Sequence, residues 1–225
     1  EMGKGSVNDG GQRWPEGSDH PKDLDTLLTK DYKMGQVTAF EFGPDKVNPE
    51  YSYISGDITN AYSTKKVDMV TRSMVAFNTR NEKYPCVFVV MDRVKSKDPA
   101  FKKTWLLHSI QEPKIENNTI TVIRDGKAYN GEYSGKLVVK SLMPEKSEIR
   151  KIGGKGKEFW IESVQKNYPA HKEGITEGGE WRVEVSPSQN NEYDIFLYAM
   201  SVMDKKTDDI IEVVKIDQEN LIGAK

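Results

Sequence analysis

The stretch Tyr84-Pro85-Cys86-Val87-Phe88-Val89-Val90-Met91 guides the interpretation of this 225-residue sequence. Residues 87–91 form an apolar run without polar interruption, which is typical of a strand buried on both faces of a sheet. A thiol in such a run is usually a small buried hydrophobe, and no basic residue stands beside Cys86 to activate it as a nucleophile. The stretch therefore predicts a central β-strand in which Cys86 is a packing residue.

Short β-type runs continue on both sides of this strand. Before it, strands open near Val37 and Tyr51, and apolar residues alternate imperfectly with polar ones over residues 67–77. After it come the runs 105–107, 120–123, 136–140, 159–163, 181–185, 195–203 and 210–216. Turn residues separate the runs, and no repeat of fixed period is present. The pattern predicts an all-β protein, an antiparallel layered β-sandwich, rather than a βαβ fold, a propeller or a solenoid.

One helical segment and one internal boundary interrupt the strand pattern. Residues 22–29 can form a short helix with Asp23 as its cap. Residues 142–156 contain a proline and several glycines and are the strongest candidate for a boundary. We therefore expect the remainder of a central sandwich domain in residues 1–143 and a smaller β domain in residues 144–225.

Composition excludes several classes of protein. The chain is 36% hydrophobic and 30% charged, which is ordinary for a globular protein, and its net charge of −2 argues against general nucleic-acid binding. A single cysteine cannot form an internal disulfide, and no apolar run is long enough to cross a bilayer. The first residues lack a signal peptide, and a chain that begins on Glu1 is expected to be part of a longer one.

The strongest local charge lies over residues 136–157, which hold seven basic and two acidic residues. Within it, 151–157 superficially resembles a phosphate loop, but the spacing differs and Glu158 stands where a Ser or Thr should be, so a basic glycine turn is expected. Such a patch can hold sulfate or carboxylate groups of an acidic polymer, and a solvated surface explains it equally well. The candidate substrate contacts here are Lys151, Lys155 and Lys157.

The histidines and aromatic residues give no catalytic or metal site. His20, His108 and His171 lie far apart in the sequence without partners at ligand spacing, and no nucleophile arrangement is present. Trp105, Trp160 and Trp181 fall in strand-like runs, where they are expected in the core. Trp14 instead follows a polar, glycine-rich loop, as an exposed binding aromatic would. The further candidate contacts are therefore Asn8, Asp9, Gln12, Arg13 and Trp14.

Read in order, several runs resemble the carboxy-terminal region of bacterial heparinase II/III-like polysaccharide lyases. They lie at 8–13 (Asn-Asp-Gly-Gly-Gln-Arg), 51–62 (Tyr-Ser-Tyr-Ile-Ser-Gly-Asp-Ile-Thr-Asn-Ala-Tyr), 90–94 (Val-Met-Asp-Arg-Val), 101–109 (Phe-Lys-Lys-Thr-Trp-Leu-Leu-His-Ser), 152–160 (Ile-Gly-Gly-Lys-Gly-Lys-Glu-Phe-Trp), 181–187 (Trp-Arg-Val-Glu-Val-Ser-Pro) and 202–204 (Val-Met-Asp). Each run is weak alone, whereas the ordered set is specific and covers most of the chain. The resemblance implies a supersandwich-like β domain followed by a smaller one, in a bacterial periplasmic or secreted protein.

The resemblance also implies an activity for the parent protein. Such lyases cleave uronic-acid-containing polysaccharides by β-elimination, in which a base removes the C5 proton, an acid serves the leaving oxygen and the carboxylate is neutralised. The family's catalytic tyrosine lies in an amino-terminal helical toroid, and its catalytic and metal-binding histidines lie in the first strands of the β domain. Neither segment is expected in this chain. We therefore assign it no catalytic residue, metal ligand or cofactor, although the parent family can bind a divalent metal elsewhere.

These observations predict a non-catalytic β-sandwich portion that braces the toroid and walls the substrate groove. The expected partners are an acidic polysaccharide and the missing toroid half, without nucleic acid or membrane. The alternative is a free-standing carbohydrate-binding module, which would present coplanar aromatic residues on one sheet face. A complete lyase in its own right is disfavoured because the toroid is missing.

Overall fold

The described part of the chain is built almost wholly from β-strands. The computed structural model describes residues 11–12, 21–29, 32–128, 131–168, 180–219 and 221–225. The helix α1 is Leu24–Leu27, and 3₁₀ turns lie at Thr59–Ala61 and Glu162–Val164. The strands are β1 Gln36–Gly43, β2 Tyr51–Asp57, β3 Val67–Asn78, β4 Cys86–Ser96, β5 Trp105–Ser109, β6 Lys114–Glu116, β7 Thr119–Ala128, β8 Gly131–Met143, β9 Ser147–Gly153, β10 Trp160–Ile161, β11 Lys166–Asn167, β12 Trp181–Pro187, β13 Tyr193–Met203, β14 Lys215–Gln218 and β15 Leu221–Ala224. The all-β prediction is confirmed.

An eight-stranded antiparallel sheet is the largest layer, with the order β1-β2-β3-β4-β13-β8-β7-β6. The apolar run 87–91 lies in β4, which pairs with β3 on one side and β13 on the other. The predicted strand is therefore confirmed, but only Val90 of the run is buried, and Val87, Phe88, Val89 and Met91 are partly buried. The helix prediction also holds, since the Asp23 carboxylate accepts a hydrogen bond from the Thr26 amide at 2.7 Å and caps α1.

A three-stranded sheet, β5-β12-β9, covers part of one face of the large sheet, here called the first face. The rings of Trp105 in β5 and Tyr198 in β13 stack with their centroids 3.9 Å apart. The core around them buries side chains from both sheets: Ile120, Val139, Val183, Val185 and Phe196. Period-two alternation in β13 aims Phe196 and Tyr198 at this core.

Part of the second face of the large sheet is covered by the carboxy-terminal segment. Leu197 and Ala199 of β13 point to this side and form a core with Val213. The strand predicted over residues 210–216 begins only at Lys215, because Ile211 and Val213 pack onto this face outside any strand. β13 is thus apolar on both sides because two layers enclose it.

The turn-rich region at 142–156 connects β8 to β9 and forms the glycine turn after β9. Strands from both sides of residue 143 pair with each other: β13 lies between β4 and β8, and β12 lies between β5 and β9. The expected division into residues 1–143 and 144–225 therefore does not coincide with a break between sheets. Local turn chemistry marks where a chain reverses, but it does not determine which strands pair afterwards.

The three-stranded sheet leaves the β1–β2 end of the first face uncovered. Along two neighbouring cross-strand rows, Phe40 lies opposite Ile54, and Phe42 lies opposite Ser52. Phe40, Phe42 and Ile54 are exposed, as is Val37 near the start of β1. We call Val37, Phe40, Phe42 and Ile54 the apolar shelf. An exposed patch of this kind commonly marks an interaction surface.

Two isoleucines on β7 test the first core. Ile120 is fully buried, whereas Ile123 on the same strand is 42% exposed. We expect Ile120→Ala to lower the free energy of unfolding by about 2–5 kcal/mol, because it leaves a cavity between the sheets. The control Ile123→Ala should cost about 1 kcal/mol or less. Urea unfolding monitored by circular dichroism makes the comparison, and equal losses would contradict the layering described above.

Candidate functional site

A cleft of about 520 Å³ opens on the first face, beside the free edge of the three-stranded sheet. Its floor is formed by β3, β4 and Phe196 of β13. One wall is the segment 100–106, which leads into β5, and the opposite rim is formed by residues 58–67. Gln12, a residue predicted to contact substrate, also lines this cleft.

An arginine and an aspartate form the polar part of the cleft floor. Arg72 Nε donates to Asp92 Oδ1 at 2.6 Å, and Arg72 Nη2 donates to Asp92 Oδ2 at 2.7 Å. The sheet register sets up this pair, since Arg72 lies opposite Asp92, and Asp92 lies opposite Phe196. Asp92 is buried, whereas the Arg72 side chain is 44% exposed. The hydrogen bonds to Asp92 outweigh burial and raise the pKa of Arg72.

A buried lysine holds the cleft wall in place. Lys103 Nζ lies 3.1 Å from Asp194 Oδ2, and both side chains are less than one tenth exposed. The same ammonium donates to Ser96 Oγ at 3.1 Å and to the backbone carbonyl of Asn191. Ser96 Oγ in turn donates to the Asp98 carbonyl at 2.9 Å. Lys103 therefore positions the wall, and its charge is already balanced.

The mouth of the cleft combines cations with an aromatic ring. Lys66 Nζ lies 5.7 Å from the centre of the Phe101 ring. Lys102 is about half exposed and only weakly paired, with its Nζ 3.9 Å from Glu148. Among the described residues the lining holds four basic side chains and one carboxylate, Asp92, so basic groups are in excess there, although Lys103 is paired with Asp194 and Lys102 lies near Glu148.

Tyr198 lies beneath the cleft but is not accessible from it. Its hydroxyl is buried beside Ser141, and burial raises its pKa strongly. Trp105 covers its ring. Tyr198 is therefore a core residue, with neither the exposure nor the acidity that proton transfer to a glycan would need.

The predicted lysines lie elsewhere, and they do not line the cleft. Lys151 Nζ is 2.6 Å from Glu112 Oε1 and 5.7 Å from the Trp181 ring centre. Lys157 Nζ is 5.5 Å from the Trp160 ring centre, and Lys155 is exposed. Of the amino-terminal candidates, Gln12 lies in the cleft, whereas Asn8, Asp9, Arg13 and Trp14 lie outside the described residues, as does His20.

The segment 151–157 adopts a tight glycine turn rather than a phosphate loop. Gly154 and Gly156 have φ angles of 76° and 84°, in the left-handed region. A Cβ on Gly154 would lie 2.9 Å from the Trp181 ring, so this glycine also permits close packing. The Lys157 amide donates to the Gly154 carbonyl at 2.8 Å and closes the turn.

An ionic network neutralises part of the predicted basic patch. Glu184 accepts hydrogen bonds from Arg150 Nε at 2.7 Å and from Arg182 Nε at 2.8 Å, and Arg150 also contacts Glu162. Burial opposes ionisation of Glu184, but the two arginines outweigh it and hold its pKa below the ordinary value. Arg150 is therefore committed to the fold, and the counted excess of charge overstates what the surface presents.

The described residues contain no group of three or more His, Cys, Asp or Glu side chains that could hold a metal ion. His108 lies on β5 opposite Arg182, and burial followed by the charge of Arg182 lowers its pKa. Cys86 is partly buried, and burial raises its pKa, which agrees with a packing role. These residues stay outside the candidate site.

Sequence reasoning missed the residues that form the cleft. These residues come from separate parts of the chain and are brought together by strand pairing. They are Lys66, Arg72, Asp92, Lys102 and Lys103. The available signal was Asp92, a charged residue directly after the apolar run in a strand expected to be buried. A buried carboxylate requires a cationic partner, so its position could have prompted a search for one.

A layered antiparallel β fold of this kind is found among polysaccharide lyases of known structure. The heparan sulfate lyase HepC from Pedobacter heparinus superposes with a TM-score of 0.50 and 15% identity, over 83% of this chain and 24% of that chain. Heparinase III superposes with a TM-score of 0.45 and 14% identity, over 81% and 23% respectively. The superposition on HepC confirms the expected resemblance for the fold alone. The chain spans about a quarter of the length of these enzymes.

The sequence itself matches no protein-family model, and the search of curated proteins gives no match. Across the described ranges, no helix is long and apolar enough to cross a membrane.

Two adjacent lysines separate support of the cleft wall from exposed charge. We expect Lys103→Ala to lower the free energy of unfolding by about 3–5 kcal/mol, because it leaves Asp194 buried without a counter-charge. Lys102→Ala should change it by about 0.5 kcal/mol or less, since this side chain is largely exposed. Thermal and urea unfolding give both values. A similar, small loss in the two variants would show that the buried pair does not hold the wall.

Proposed function

We propose that this chain is the non-catalytic β-sandwich portion of a heparinase II/III-like lyase that acts by β-elimination on uronic-acid-containing polysaccharides. In this role it walls the substrate groove and braces the catalytic toroid. The observation that carries the proposal is the cleft with its excess of basic groups on a lyase-like sheet, with Gln12 in its lining. The polysaccharide is an acidic one, and the parent acts in the periplasm or outside the cell.

The cleft has the chemistry that an acidic glycan requires. Lys102 at its mouth can balance sulfate or carboxylate charge, and Phe101 offers an apolar ring for the face of a sugar. Ile58 and Val70 line the same space and exclude water from part of the floor. The groups that abstract and donate protons would come from the rest of the parent enzyme.

The apolar shelf supports the bracing role. It lies on the first face, as do Arg72 and Asp92, so a body that covers the shelf would also stand beside the cleft. We propose the toroid half as this body, because solved lyases with this fold are about four times longer than the matched region. The docked half would then form the opposite wall of the groove.

The arrangement of aromatic residues does not favour the free-standing carbohydrate-binding module. Such a module would present exposed coplanar aromatic rings on one sheet face. Within the described residues, Trp105 is buried, and Trp160 and Trp181 are only partly exposed and lie near Lys157 and Lys151. The cleft, rather than an aromatic platform, is the better candidate for glycan contact.

Glycan binding by the isolated chain tests the cleft. We expect weak, salt-sensitive retention on immobilised heparin, because counterion release makes affinity fall as salt rises. Lys102→Glu should reduce the salt concentration needed for elution, while the melting temperature stays nearly unchanged because this side chain is about half exposed.

The triple variant Lys151→Glu, Lys155→Glu and Lys157→Glu is the matched comparison, since the glycine turn stays a second candidate contact. Loss of retention in the triple variant alone would move the contact to this turn. Retention unchanged in both variants would leave the chain without a glycan role at either surface, and Arg13→Ala with Trp14→Ala would test the remaining loop.

Lyase activity tests whether catalysis belongs to the toroid half rather than to this chain. The chain alone should produce no rise in ultraviolet absorbance from unsaturated uronate with heparan sulfate, chondroitin sulfate or alginate. Addition of a separately expressed toroid half should restore turnover if the halves dock through the shelf. Phe40→Lys with Ile54→Lys should prevent this recovery, because charged groups on the shelf oppose apolar packing.

The control is Phe77→Lys, which changes an aromatic residue of β3 that is 42% exposed and points to the opposite face. Turnover by the chain alone, retained in His108→Ala, would contradict the non-catalytic assignment. Recovery that is lost only in Phe77→Lys would place the docking surface on the second face.

A further inference from the structure

The guanidinium of Arg72 has hydrogen-bonding capacity that the fold does not use. An arginine carries five N–H donors, and Asp92 occupies one on Nε and one on Nη2. Arg72 makes no other side-chain hydrogen bond with the described residues. Three N–H groups are therefore not bound by Asp92: both of those on Nη1 and the second one on Nη2. Nη1 and Nη2 together form the terminal edge of the guanidinium, which we call the free edge.

Asp92 fixes the direction of that free edge. Both of its oxygens hold the side-on edge of Arg72, and only 8% of its side chain is exposed, so the carboxylate sits in the sheet floor. The two groups lie on neighbouring strands in direct register. Since a bidentate pair restricts rotation of the guanidinium, the opposite edge is aimed before a ligand arrives.

The free edge belongs to the cleft. Arg72 is 44% exposed, and both it and Asp92 line the cleft, so the exposed part of the side chain borders the open volume. Lys103, by contrast, is buried and already paired with Asp194. Among the cations of the floor and wall, Arg72 therefore has the accessible donors.

The geometry of this edge favours a planar anion. Two parallel N–H groups match the two oxygens of a carboxylate, which is the arrangement that makes arginine selective for such groups. Asp92 already balances the Arg72 charge, so Lys102, which is about half exposed at the mouth, would neutralise the ligand. Flexible lysines are suited to sulfate groups of any orientation, whereas the fixed fork in the floor is suited to a carboxylate.

We propose that Arg72 is a carboxylate receptor for the uronate residues of the glycan, and that Asp92 is the positioning residue that aims it. This inference rests on the proposed function, because the cleft must first bind an acidic glycan. It assigns different roles to the two cations: the Arg72 guanidinium in the floor binds the carboxylate, and Lys102 at the mouth attracts negative charge of any kind.

A comparison of glycans tests the receptor without any mutation. The probes are an unsulfated oligosaccharide of alternating glucuronate and N-acetylglucosamine, its carboxyl-reduced form, and a heparin oligosaccharide, each titrated into the full chain by calorimetry. We expect carboxyl reduction to weaken binding about tenfold or more, since it removes two charge-assisted hydrogen bonds. A ratio near one, with heparin still bound, would overturn the receptor and leave the proposed function standing.

Variants locate the effect at the fork. Arg72→Lys keeps the charge but loses the planar edge, so affinity for the unsulfated glucuronate probe should fall about tenfold. The loss for heparin should be smaller, because its sulfate groups add contacts beside the uronate carboxylate. Asp92→Asn should reduce the ratio between the uronate probe and its reduced form, because the fork is no longer aimed, a change that loss of stability alone would not produce. Circular dichroism confirms that each variant is folded.

The remaining outcomes distinguish failure of the Arg72 receptor from failure of the proposed function. An undiminished ratio in folded Arg72→Lys would overturn the assignment to Arg72. An equal loss in Arg72→Lys for the uronate probe and for its carboxyl-reduced form would show a contact without selection for carboxylate. Absence of binding by every glycan to the unaltered chain would overturn the proposed function together with the receptor.

Discussion

The insertion of β13 between β4 and β8 is the constraint on which the rest of the structure depends. Strands 193–203 and 86–96 lie about a hundred residues apart in the chain, yet their pairing completes the large sheet. The same pairing places Tyr198 beneath Trp105, which fixes the three-stranded sheet on the first face. It also places Phe196 opposite Asp92 and so completes the cleft floor. The core and the candidate site are therefore consequences of one register.

The cleft exists because the two layers differ in width. Three strands cover only part of a face that eight strands form, and β5 ends the narrower sheet beside Arg72 and Asp92. Arg72 and Asp92 lie at that margin, where Arg72 is partly exposed and Asp92 is buried. The hydrogen bonds between them replace those that water would make with the buried carboxylate. The rest of the uncovered first face, at β1 and β2, is the apolar shelf, whose side chains are apolar and exposed. Binding cleft and docking shelf thus follow from the same incomplete coverage.

The sequence predicted much of the local structure and little of the site. The apolar run 87–91 identified a central strand, and Asp23 identified the helix start, because both signals depend on neighbours in the chain. Lys151, Lys155 and Lys157 were predicted as substrate contacts because they lie close together in the sequence. Sequence alone does not show their partners, and Lys151 is paired with Glu112. Lys66, Arg72 and Lys102 went unrecognised, since alternation tells which residues share a face but not which strands become neighbours.

By itself, the sequence determined the all-β class, the central strand, the glycine turn and an ordered set of runs that resembles a lyase family. Those features depend on residue type and on spacing within a few positions, which a linear pattern contains. Only the tertiary structure decided that residue 143 is no break between sheets, that Lys103 is buried on Asp194, and that Arg72 faces a cleft with donors to spare. These outcomes depend on long-range pairing, because burial and charge balance belong to residues that meet across sheets rather than along the chain.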